Sequence, residues 1–241
     1  MDDILELIIV VILVIIQSIF GVGLLLFGTP SLLLLGYDFA NTINILMPVS
    51  ISISAIQFFK SKNKDINFVK EYNLFCLPFL IIFLIIALKF NYFFNFKLIV
   101  ALLLIVSSLI ILNKSKFSTF KKTFFKIKKV VLIGIGLIHG LTNMGGGFLA
   151  IYSTIMSQNN KEFSRYYICY GYLIMGIIQY STVLLLSFEN LYFDKLYYIF
   201  LTLIIYFPTQ IIFKSIEDIK FSKFLNTLAL IYGLVILIYY Y

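Results

Sequence analysis

Apolar runs of about twenty residues, separated by short polar stretches, fill the chain. Candidate segments are residues 4–27, 38–59, 73–90, 96–113, 130–157, 163–188, 195–213 and 223–240. About 20 apolar residues cross the hydrocarbon of a bilayer as one helix. The pattern therefore predicts an all-α polytopic integral membrane protein with about eight transmembrane helices. The run from Ile4 to Leu35 is too long for one span and short for two. A full helix followed by a broken or re-entrant piece fits it. The opening "MDDILELIIV" is acidic where a cleavable signal peptide is basic, so the first segment reads as a retained span.

Composition supports this class. Of 241 residues 61% are hydrophobic and 12% charged, against roughly 25% charged in a soluble domain. The formal charge is +8, but the basic residues sit in short loops between apolar runs. They do not make a face on a soluble fold, which nucleic acid requires, so no nucleic-acid partner is expected. The bilayer itself is the expected partner. Lysine and arginine collect on the cytoplasmic side of membrane proteins. Residues 60–72 carry four lysines and residues 114–129 carry seven. With eight full spans, both stretches and Lys195 share a side with the termini, giving twelve basic residues there against seven opposite. The expectation is a multi-pass protein of the cell inner membrane with both termini cytoplasmic.

The basic stretch also divides the chain into a first transmembrane half (1–113), a linker (114–129) and a second half (130–241). A shift of 122 residues lays "GVGLLLFGTPS" (Gly21–Ser31) on "NMGGGFLAIYS" (Asn143–Ser153). Gly23 then meets Gly145, Ser31 meets Ser153 and Gln57 meets Gln179. Each half thus opens with a glycine-broken segment and continues into a long span ending near a glutamine, two pseudo-repeated halves.

A helix break in hydrocarbon frees backbone N–H and C=O groups at several kcal/mol each, so it survives only inside protein or beside a wet cavity. What it offers is a half-helix N-terminus, about half a positive charge with free N–H donors, which holds an anion without a charged side chain. Paired glycine- or proline-interrupted segments at matching places in two halves point to a transporter's binding site. Close helix packing through small residues is the competing explanation, as is Pro30 merely beginning the next helix.

The segment "GLTNMGGGFLAIY", with its weaker echo "GVGLLLFGTPSLLLLG", resembles the repeated motif of the sulfite exporter TauE/SafE family. This chain departs from the pattern at Leu24 and Leu25, where further glycines belong, and at Tyr152, where a proline belongs. The resemblance implies a secondary transporter of small anions such as sulfite, organosulfonates or related sulfur-containing anions, working by alternating access. The alternative is a non-transporting membrane scaffold whose glycines serve packing.

On this reading the substrate-binding candidates are Gly21, Gly23, Thr29, Thr42, Gln57, Thr142, Asn143, Gly145, Gly146, Gly147 and Gln179. The two broken segments are expected to meet near the bilayer midplane. His139, the only histidine, is the proton-coupling candidate, since an ionisable residue at membrane depth is a functional hypothesis by default. Arg165, the only arginine, reads as an interfacial anchor or a vestibule charge. All eleven acidic residues lie near segment ends or in loops, which disfavours a carboxylate relay. Cys76 and Cys169 lack a CxxC or Cys/His neighbourhood. No metal, cofactor or catalytic constellation is expected.

Overall fold

The computed structural model describes residues 2–62, 64–90, 117–157, 160–191 and 193–217, with isolated positions between 98 and 109 and between 220 and 238. The expected spans at 96–113 and 223–240 lie largely outside the described residues. Among these, all regular structure is helical. The elements are α1 (Asp2–Phe20), α2 (Leu24–Leu34), α3 (Phe39–Lys60), α4 (Ile66–Phe75), α5 (Leu77–Lys89), α6 (Phe117–Thr142), α7 (Gly146–Met156), α8 (Lys161–Ser187) and α9 (Tyr198–Ser215). Two 3-10 turns, Phe188–Asn190 and Asp194–Tyr197, lead into α9.

Four described stretches are long and apolar enough to cross a bilayer: Phe39–Lys60, Ile66–Lys89, Glu162–Ser187 and Asp194–Ser215. The second combines α4 and α5, because helical hydrogen bonds run through the join, from Cys76 N–H to Tyr72 and from Leu80 N–H to Cys76. The expected spans 4–27 and 130–157 are each split instead, at 21–23 and at 143–145. The pieces α2 and α7 have 11 residues each, about 16 Å at the usual helical rise and half a hydrocarbon core. From Leu24 to Leu33 every residue of α2 is buried, so this helix is packed in protein on all sides. Pro30 lies inside α2 and does not begin a new helix.

Side-chain contacts fix the helix directions. Glu6 meets Tyr198, and the Ser18 carbonyl meets Gln210, so α1 and α9 lie side by side in the same direction. A Cβ on Gly136 would meet the backbone of Cys76, and one on Gly140 that of Leu80 and Leu84, so α5 and α6 are also parallel. Gln57 touches Cys169, while Met47 and Ile51 lie against Gly176. The central pair α3 and α8 is therefore antiparallel. Helix α1 runs alongside α3, with Gln17 on Ser50 and Gln57 on the carbonyls of Gln17 and Ser18. From its end α2 turns back, and Tyr37, just beyond it, returns to Glu6. Helices α1 and α2 are thus a re-entrant hairpin.

The same local bonds recur 122 residues apart. The N–H of Gly21 donates to Gln17 at 2.7 Å, and that of Asn143 to His139 at 2.8 Å. Ser31 Oγ donates to Phe27 at 2.8 Å, and Ser153 Oγ to Leu149 at 2.7 Å. Gln57 donates to the Gln17 carbonyl, and Gln179 to that of His139. Asp38 caps α3, and Asn160 caps α8.

Two ends of the bundle follow from these directions, and they differ in charge. One carries Lys60, Lys62, Lys64 and Lys70, then Lys126, Lys128 and Lys129 of α6, then Arg165 and Lys214. There Lys128 pairs with Glu71 at 2.6 Å, joining the two basic stretches. The other end carries Lys89 and Lys195. The N-terminus of α1 sits at this second end, because Glu6 is held by Tyr37, Tyr198 and Lys195. The expectation that the N-terminus shares a side with the basic stretches is therefore corrected. It assumed eight full spans, and a re-entrant hairpin removes one crossing. The C-terminal residue lies outside the described residues. Glu6 is near a helix end, as expected of every acid, yet it has no exposed surface.

This arrangement predicts that Ile4→Cys and Ser61→Cys react with a membrane-impermeant maleimide from opposite faces of sealed vesicles. Labelling of both from one face would contradict the hairpin.

Candidate functional site

The two breaks are built differently. At the first, Gly21 and Gly23 adopt φ of 75° and 137°, left-handed territory that glycine enters freely. At the second the left-handed residue is Asn143, φ 62°, a residue type enriched there. Gly145 has an ordinary helical φ of −57°. The glycines of the second motif therefore serve close approach. A Cβ on Gly145 would lie 2.6 Å from His139 Cβ and 2.7 Å from the Ile135 carbonyl, and one on Gly146 would overlap the hydroxyl of Tyr172.

Neither half-helix has a side-chain N-cap. The first N–H groups of a helix have no partner within it. At α7 the Gly147 N–H turns back to the Met144 carbonyl at 3.3 Å, and Thr142 Oγ1 accepts from Met144 N–H at 3.2 Å. Around this terminus stand buried polar groups without partners. The Tyr172 hydroxyl, both His139 ring nitrogens, Asn143 Oδ1 and Gln179 Oε1 make no hydrogen bond of good geometry. His139, Asn143, Tyr172 and Gln179 have no exposed surface. The imidazole stands edge-on to the Tyr172 ring, centroids 6.3 Å apart, and the Gln179 side chain lies alongside it.

The first break has different neighbours. Gly21 lies against Ile168, Gln57 and Arg165. Arg165 extends its guanidinium to Gln210 at 2.7 Å and over the ring of Phe213 at 4.2 Å. It belongs to the α8–α9 packing at the basic end.

The breaks do not meet at a point. The break between α6 and α7 touches α2 through Asn143 Nδ2 and Thr29 Oγ1, 3.1 Å apart, which places Thr29 beside the segment that carries Thr142, Asn143 and Gly145–Gly147. Gly21 and Gly23 lie toward the basic end. The glutamines do not converge either. Cys169, in contact with Gln57, precedes Gln179 by ten positions on α8, about 15 Å along the helix. Each amide instead holds the carbonyl end of a broken helix, Gln57 at Gln17 and Ser18, Gln179 at His139. Thr42 is buried in the first turn of α3 with an unpartnered hydroxyl.

A family model for the sulfite exporter TauE/SafE proteins matches residues 6–236. The chain belongs to that family. No curated protein and no solved structure matches it. As a family member with four described membrane-length apolar helices, it is a multi-pass membrane protein of a transporter family.

Two residues that the motif did not single out belong to this picture. Tyr172 is one of many tyrosines in an aromatic-rich chain (17 Tyr and 26 Phe), and only its position against Gly146 distinguishes it. Tyr72 lies behind it, its hydroxyl 3.0 Å from where a Cβ on Gly171 would stand.

Packing separates two glycine substitutions. Gly134 of α6 has open space where a Cβ would go, so Gly134→Ala is expected to stabilise by up to about 1 kcal/mol. Gly146→Ala must displace the Tyr172 ring, and overpacking of this kind costs about 1–3 kcal/mol. Thermal melting in detergent measures both; equal effects would remove the close contact.

Proposed function

We propose that this TauE/SafE protein carries small anions, sulfite or related sulfur oxyanions and sulfonates, through a site at the N-terminus of α7. The observation that carries this reading is the Tyr172 hydroxyl, buried and unpartnered on the first residue of an uncapped helix. The helix terminus supplies partial positive charge and N–H donors. Thr142 and Asn143, from the chain that enters the helix, and Thr29, from α2, complete the polar lining. His139 stands beside it as the proton-coupling candidate. Gly21 and Gly23 open the equivalent half-helix in the first half of the chain.

The recurrence of bonds at 122 residues, with α3 and α8 opposed in direction, supports two inverted repeats of the kind found in many transporters. The repeats interlock. Helix α1 packs on α9 and α5 on α6, so a rigid half of the sequence cannot rock as a body. The moving units in this proposal are α1, α2, α3 and α9 against α4 to α8, sliding across the α3–α8 seam. The positive-inside rule puts the basic end in the cytoplasm of an inner membrane and the N-terminus on the far side.

The scaffold alternative draws on the packing role of Gly145 and Gly146. Tyr172→Phe separates the readings, because the hydroxyl it removes holds no protein partner. Sulfite flux into proteoliposomes is expected to fall about ten- to a hundred-fold, the worth of one hydrogen bond to a charged group. The melting temperature is expected to stay level or rise. Unchanged flux, or no anion flux from folded wild type, would favour the scaffold.

A further inference from the structure

The unpartnered groups at the N-terminus of α7 are of two kinds. Tyr172 can donate, as can the N–H groups of the helix. Asn143 presents an acceptor: its Nδ2 meets Thr29 Oγ1, while its Oδ1 is buried and makes no hydrogen bond. The Gln179 amide serves His139 instead, its nitrogen on the backbone carbonyl and its side chain against the imidazole.

A fully deprotonated oxyanion carries acceptors alone. It would satisfy the donors and leave the Asn143 carbonyl oxygen facing negative charge, and a buried polar group left unpaired costs more than a made hydrogen bond nets. A ligand bearing its own O–H satisfies both sets. Charge points the same way. Among the described residues the titratable neighbours are His139 on α6, Tyr172 on α8 and Tyr72 on α4, and no described lysine, arginine or carboxylate bears on His139 or Tyr172. A helix terminus offers about half a unit of positive charge, which matches a single negative charge far better than two.

We infer that the α7 site takes a singly charged oxyanion that carries its own hydroxyl, in sulfite solutions the S–OH form of hydrogensulfite. This rests on the anion-carrier reading above. The anion accepts from Tyr172 and the α7 N–H groups and donates to the side-chain carbonyl of Asn143. Hydrogensulfite is sulfite plus one proton, so each turnover moves a proton with the sulfur anion, and no protein group needs to titrate for that coupling.

The test uses the full chain in proteoliposomes with radiolabelled sulfite. At pH 6 on both sides, unlabelled methanesulfonate, a monoanion with a methyl group in place of the hydroxyl, is expected to compete about tenfold or more weakly than unlabelled sulfite. A site built around a ligand hydroxyl rejects the analogue that lacks it. Run at one pH, this comparison is blind to any titration of His139. At fixed total sulfite, the initial rate is expected to fall several-fold from pH 6 to pH 8, following hydrogensulfite as it loses its proton. Equal competition by methanesulfonate, or a rate that holds or rises toward pH 8, would overturn the inference and leave the anion carrier standing. Absence of flux for every small anion tried, from protein that melts cooperatively, would overturn both.

Discussion

Hydrocarbon contains nothing to hydrogen-bond a free peptide group, and the rest of this structure is arranged around that constraint. Two helices are interrupted inside the bundle, and each interruption exposes carbonyls on one side and N–H groups on the other. The carbonyl ends are satisfied from within. Gln57 serves α1 and Gln179 serves α6, with Gln210 adding a second bond to Ser18. The N–H ends are left without side-chain caps. This asymmetry between the two sides of each break, carbonyl ends held by side-chain amides and N–H ends without side-chain caps, is the feature on which the anion proposal rests.

Much of this was legible in the sequence. The apolar runs gave the class, and the shift of 122 residues located both breaks and paired Gln57 with Gln179. Direction was not legible. Hydropathy is blind to whether a segment turns back at a break, so Ile4–Leu35 could be read as crossing when it is a hairpin. A hairpin there sets the N-terminus of α1 at the end opposite the basic stretches, where a crossing would set it at the same end. Pairing in sequence also suggested meeting in space, yet antiparallel α3 and α8 hold the two glutamines far apart. The role of the glycines changed for a similar reason. In the second motif the strained backbone falls to Asn143, and Gly146 makes room for a tyrosine that comes from a different helix.

Interlocking explains why the bundle holds together although its repeats oppose one another. The first helix of each repeat lies on the last described helix of the other. An ion pair lies beside each contact, Glu6 of α1 with Lys195 of the turn before α9 and Lys128 of α6 with Glu71 of α4, the helix that continues into α5. Glu6 and Lys128 are 122 residues apart, so the same structural place carries a carboxylate in one repeat and an ammonium in the other. Exchanging the sign keeps each pair complementary, with one lysine and one carboxylate in each.

Selenite, the heavier analogue of sulfite, locates the site without relying on turnover. Anomalous scattering from crystals of the protein grown with selenite would show where the anion sits. A selenium peak within hydrogen-bonding distance of the Tyr172 hydroxyl and the α7 N-terminus is the result this account predicts. A peak at Arg165 beside Gly21, with none at α7, would contradict it.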